Sequence, residues 1–160
     1  MRSEAARATG RRPVLRLAGV ADLPACARIV NDYIDETEWL PRVHSREQVA
    51  GFFTPTLLAS RALWLAELDG DIVGYMSVAP TGMVHALYLA PNARGAGLGA
   101  MLIDRAKQDH PERVELTVFE PNLAARRFYA REGFVEVPEG RRVDTEEGIP
   151  TLLMRWRGRQ

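Results

Sequence analysis

The chain has 160 residues, 46% hydrophobic and 26% charged, enough for one globular domain with a proper core and too little for two. Its 21 basic and 21 acidic side chains cancel, so no global field draws it to nucleic acid or to an anionic membrane, and a charged partner must be met by a local patch. A single cysteine, Cys26, excludes an internal disulfide and reads as helix packing, and without a Cys/His cluster no metal site is expected.

In chain order, residues 1–12 hold four arginines and no apolar stretch. They read as a disordered tail ahead of a domain over 13–160, and as neither signal peptide nor membrane anchor. No apolar run elsewhere approaches the roughly 20 residues of a spanning helix, and the expected location is the cytoplasm. A short strand over 14–17 precedes an amphipathic helix opened by Asp22, with Leu23, Ala27, Ile29, Val30 and Ile34 on its apolar face. Pro24 suits the first turn of that helix, where no N–H is needed. A polar turn with Glu38, Trp39 and His44 follows. Ser45-Arg-Glu-Gln48 then has the spacing of a capping box, opening a helix toward Phe52 and Phe53. Residues 62–68 and 72–78, divided by Asp69-Gly70, read as a hairpin, and 82–89 as the next antiparallel strand. A helix over 97–108, a strand over 114–119, a helix over 121–131 and a strand pair, 134–137 with 151–156, complete the chain.

Arg94-Gly95-Ala96-Gly97-Leu98-Gly99 falls at a strand-to-helix junction. Glycines there let the main chain approach a phosphate closely, with the N–H groups and positive dipole end of the helix facing it. The segment is therefore a candidate diphosphate cradle. A Walker A loop would need Lys-Ser/Thr after its last glycine, and a dinucleotide fingerprint would need different glycine spacing near the start of a domain. Neither is present. In a helix from 121, Asn122, Ala125, Arg126 and Tyr129 share one stripe. That stripe suits the wall of a thioester channel; equally, Asn122 suits an N-cap and Phe128 and Tyr129 a core edge.

Arg94, Gly97 and Gly99 fill the pattern Arg/Gln-x-x-Gly-x-Gly/Ala, which resembles motif A of the GNAT (GCN5-related N-acetyltransferase) family. Asn122, Ala125, Phe128, Tyr129, Gly133 and Phe134 fill Asn-x-x-Ala-x-x-Phe-Tyr-x-x-x-Gly-Phe, which resembles motif B. The likeness covers about 71–137. It implies an α/β protein with the acyl-CoA N-acyltransferase fold: a central mixed, mostly antiparallel sheet with splayed parallel strands and flanking helices. It implies acetyl-CoA as acetyl donor, a small-molecule or peptide amine as acceptor, and no metal. By the same resemblance, main-chain groups of Leu87, Tyr88 and Leu89 pair with the pantetheine arm. Backbone N–H groups from Arg94 through Gly95, Ala96, Gly97, Leu98 and Gly99 hold the diphosphate, and Asn122 and Ala125 flank the arm. Tyr129 is the implied general acid at sulfur. His85, which shares strand parity with Leu87 and Leu89 if no bulge intervenes, is the candidate base. Glu38, Trp39 and His44 fall where the family builds its acceptor pocket, and the acidic run Asp144, Glu146 and Glu147 where an entrance for a cation would lie. The likeness also admits a homodimer. A silent acyl-CoA sensor of the same fold, or an enzyme acylating protein N-termini or lysines, are the alternatives.

Overall fold

The structure, a computed structural model, describes residues 12–159. The expected tail over 1–12 lies outside it, Arg12 excepted. Elements run β1 (Pro13–Leu17), α1 (Leu23–Glu36), α2 (Arg46–Gly51), α3 (Pro55–Ser60), β2 (Ala62–Leu68), β3 (Asp71–Val78), β4 (Met83–Leu89), α4 (Leu98–Asp109), β5 (Arg113–Phe119), α5 (Leu123–Arg131), β6 (Val135–Arg142) and β7 (Thr151–Arg157). Among the described residues no helix is long and apolar enough to cross a membrane.

Local chemistry explains most boundaries. Asp69 (φ 52°) and Gly70 (φ 85°) both take left-handed backbone, so the two-residue turn matches the right-handed twist of β2 and β3, with Leu68 opposite Asp71. The capping box forms as spaced: Ser45 Oγ accepts from the Gln48 N–H at 3.1 Å and Gln48 Oε1 accepts from the Ser45 N–H at 2.8 Å. Sequence periodicity misses α3, which is six residues long and too short to display a repeat, although Thr54-Pro55 carries a helix-start signal.

The seven strands form one sheet in the order β1-β2-β3-β4-β5-β7-β6. The expected closing strand pair is present, but β7 is the inner strand, paired with β5 along its whole length, and β6 is the edge. That edge runs to Arg142 rather than 137, through a register break in which Gly140 lies so close to Leu153 that an added Cβ would come within 2.4 Å of it. Helix α1 buries Leu23, Cys26, Ile29 and Val30 against Leu65 and Tyr75 on one face of the sheet. On the other face α4 and α5 bury Leu102, Ile103 and Tyr129 against Val114, Leu116 and Met154.

Two irregularities position the site. Strands β4 and β5 are the sheet's parallel pair and stay together only at Met83 opposite Glu115 and Val84 opposite Leu116. Beyond that point they diverge. On its other side β4 pairs with β3, where Ser77 faces Ala86 but Val78 faces Val84, which leaves His85 as the extra residue of a β-bulge.

Candidate active site

The divergence of β4 and β5 opens a cleft of about 880 Å³. Its β4 wall runs from Val84 to Leu89 and its β5 wall from Leu116 to Phe119. Beyond Val84, among the described residues, no strand pairs with the β4 edge on this side. Main-chain N–H and C=O groups demand partners, so the edge suits an extended, amide-bearing ligand. Leu87, Tyr88 and Leu89 lie on that edge.

The strand ends at the glycine loop. Gly95 (φ 82°) and Gly97 (φ 80°) are left-handed, and Gly97 is the N-cap of α4. The first turn of any helix has N–H groups without intrahelical acceptors; in α4 they open beside the cleft, which Gly97, Leu98 and Gly99 line. A Cβ on Gly99 would stand 3.2 Å from Phe128 Cζ, so this glycine lets α4 approach α5. Arg94 lines the cleft, its side chain ion-paired with Glu36, donating to the Leu89 carbonyl at 3.0 Å and lying 6.0 Å from the Tyr33 ring centre. Ala96 packs against the core instead of the cleft wall.

Asn122 performs the capping role: its Oδ1 accepts from the Ala125 N–H at 3.2 Å, while its Nδ2 donates to Tyr33 Oη at 3.2 Å. It still lines the cleft, as do Ala125 and Tyr129. The Tyr129 ring is wedged between Phe128 and Phe134, at 5.0 and 5.7 Å between centres. Burial, above all, pushes its phenol well above 10, with the Tyr88 and Tyr33 charges adding to the shift. Tyr129 is thus a neutral O–H donor through the physiological range.

His85 requires a correction. The bulge breaks its expected parity: Val84 packs with Leu87 and Leu89 on the α4 side, whereas Ala86 and Tyr88 pack on the α1 side. Alternation cannot assign a face to the extra residue. His85 nevertheless lines the cleft. The residue is exposed by surface area, yet the desolvation it retains, followed by the charge of Arg61, lowers its pKa below 6.5, so the imidazole is neutral at pH 7.

The three acceptor-side residues are off the cleft wall. Trp39 sits edge-on to Phe119 at 5.7 Å, at one remove from the cleft. His44 packs against Phe52 at 5.2 Å, and its Nε2 lies 3.3 Å from Glu146 Oε2. Glu38 is exposed to solvent. Their placement follows from the 37–45 turn being pinned to α1, where Arg42 donates to the Asn31 side chain at 2.9 Å and to Asp35 at 2.7 Å. The residues that do reach the cleft from this side are Tyr33, on α1, and Glu147, between β6 and β7. Tyr33 had no sequence signal of its own beyond its helix, and Glu147 was visible only as one member of an acidic run. Among the described residues no group of side chains has a metal-binding arrangement.

Residues 27–134 match the Acetyltransferase (GNAT) family. The chain belongs to the GNAT family. It is an acyltransferase by that membership. The GNAT match runs from α1 to the start of β6 and so takes in the splay, the glycine loop and the Asn122 helix, while leaving out the 143–150 loop. The peptidyl-lysine N-acetyltransferase YiaC of Escherichia coli K12 is 27% identical over 146 residues, spanning 89% of this chain and 96% of the relative. Among solved structures, apo YjaB from Escherichia coli superposes with a TM-score of 0.74 at 25% identity, covering 92% of this chain and 99% of that one. YncA from Salmonella typhimurium, solved with its cofactor acetyl-CoA, has a TM-score of 0.69 at 20% identity and covers 93% and 95%; that likeness is one of fold. The GNAT neighbours share the mixed, mostly antiparallel sheet with one parallel pair flanked by helices.

Proposed function

We propose that the chain transfers an acetyl group from acetyl-CoA directly to the nitrogen of a small-molecule or peptide amine. The observation that carries this reading is the unpaired β4 edge, which ends at a glycine-capped helix start and has Tyr129 beside it. An edge of free amide groups leading to an anion-binding helix terminus fits a donor whose arm carries amides and whose far end carries phosphates. Bound there, acetyl-CoA supplies a thioester carbonyl open to attack.

The protein's part is to hold and to move protons. Main-chain groups of Leu87 to Leu89 pair with the arm, with the Leu87 N–H as the donor that polarises the carbonyl. The N–H groups from Arg94 to Gly99 hold the diphosphate, and Ala125 leaves room beside the arm. The amine nitrogen forms its bond to the acetyl carbon as the carbon–sulfur bond breaks; one proton leaves nitrogen and one reaches sulfur, giving the amide and free CoA thiol. Tyr129 donates to the sulfur. His85, neutral at pH 7, takes the proton from nitrogen directly or through water.

The reading is tested by following thiol release from acetyl-CoA against a broad amine panel, with calorimetric CoA binding on the same preparation. Thiol release with one amine class is the expected result. Binding without release from any amine would point to a sensor, and absence of binding would overturn the donor. The role of His85 has its own readout. Because its pKa is depressed, kcat/KM should fall on acidification with a midpoint below pH 6.5, and His85→Gln should remove that limb with a rate loss of about 10²-fold. A limb that survives the substitution would assign it to another group.

A further inference from the structure

Glu147 reaches the cleft wall from the 143–150 loop, half-buried. Other carboxylates of the chain are engaged: Glu36 with Arg94, Glu120 with Arg141, Asp144 with Arg142, and Glu146 Oε2 3.3 Å from His44 Nε2. Among the described residues no cation pairs with Glu147. A partly desolvated carboxylate without a counter-charge is unfavourable, and a cation arriving from outside relieves that cost. Tyr88 and Tyr33, with ring centres 5.1 Å apart, line the same cleft as Glu147. Burial first, then the charges of Tyr33 and Glu147, pushes the Tyr88 phenol up to about 12. Aromatic faces beside a carboxylate form a favourable setting for an ammonium group. Arg94, 6.0 Å from the Tyr33 ring centre, is itself ion-paired with Glu36.

We propose that Glu147 anchors the acceptor, and that the acceptor is a cationic amine without a carboxylate on the carbon bearing the reacting nitrogen. This rests on the acetyl-transfer reading above. A free α-amino acid would bring its own carboxylate toward Glu147 and be repelled, whereas a lysine-type side chain or a polyamine brings only positive charge. Glu147 acts by binding the ammonium as it arrives; that ammonium gives one proton to solvent before attack, and the remaining transfers stay with His85 at nitrogen and Tyr129 at sulfur.

The test uses the full chain with Nα-acetyl-lysine amide and spermidine as cationic probes and glutamate as the amino-acid probe. Wild type should acetylate both cations and leave glutamate untouched. Glu147→Gln should raise KM for the cations at least tenfold, with kcat within about threefold and acetyl-CoA affinity unchanged, and Glu147→Asp should recover part of the loss. An unmoved KM in Glu147→Gln overturns the anchor, as does a wild type that prefers glutamate or turns over neither cation. Failure of wild type to bind acetyl-CoA by calorimetry would overturn the acetyl-transfer reading as well. Intact donor binding with an unmoved KM overturns the anchor alone.

Discussion

Tyr129→Phe is expected to lower kcat about a hundredfold and to leave acetyl-CoA affinity where it was. The substitution is close to a clean removal of one hydroxyl. Phe128 and Phe134 hold the ring by its edges and face, contacts that phenylalanine reproduces, and among the described residues no group is hydrogen-bonded to the hydroxyl. The melting temperature should therefore shift little. What changes is the environment of the leaving sulfur. Burial holds the Tyr129 phenol neutral well past pH 10, so the O–H is present at every pH at which the enzyme works, and the group contributes no alkaline limb below that value. A phenol so weakly acidic stabilises sulfur chiefly through a hydrogen bond that strengthens as negative charge develops, and proton transfer follows as the carbon–sulfur bond breaks. The variant should consequently lose kcat and kcat/KM together. A kcat unchanged in Tyr129→Phe would hand the sulfur to water and refute the acid role.

What could be read from residues alone, and what could not, divides along the range of the interactions involved. Asp69-Gly70, Ser45 with Gln48, and the glycine loop act within a few residues of themselves, so their chemistry is written in local spacing. The parallel, splayed arrangement of β4 and β5 came through the likeness carried by Arg94-Gly95-Ala96-Gly97-Leu98-Gly99 and the Asn122 helix, not through periodicity. The His85 bulge depends on where Ser77 and Val78 pair across the sheet, a register no single strand encodes. Asn122 shows the limit differently. It caps α5 as its local spacing suggests, yet the same side chain lines the cleft and its second amide group reaches Tyr33 on α1, 89 residues away. The acceptor side was least legible. Glu38, Trp39 and His44 are held off the wall by ion pairs of Arg42 and Arg46 to α1, while Glu147 is brought in by the path of a loop between an edge strand and the strand beside it.

Gly97→Val should weaken acetyl-CoA binding by at least about a hundredfold, some 2.7 kcal/mol, in a protein that still folds. Two effects act at once and must be separated. Valine at φ 80° is strained, at a cost of about 1–3 kcal/mol, and its side chain would also stand at the N-cap of α4, where the proposed diphosphate contacts the helix start. Gly70 supplies the comparison. It has the same left-handed backbone, φ 85°, with nothing within 4 Å of an added Cβ, and it lies in the β2–β3 turn away from the cleft. Gly70→Val therefore carries the strain without the intrusion. Both variants should lower the melting temperature by similar amounts, and only Gly97→Val should lose donor affinity in calorimetry. Normal affinity in Gly97→Val would refute the cradle, since a phosphate seated on those N–H groups cannot share the approach with a branched side chain. Equal loss of affinity in both variants would trace the effect to global destabilisation. The difference between the two binding constants is thus the part of the affinity that belongs to close approach of the main chain, which is what the glycine loop is argued to provide.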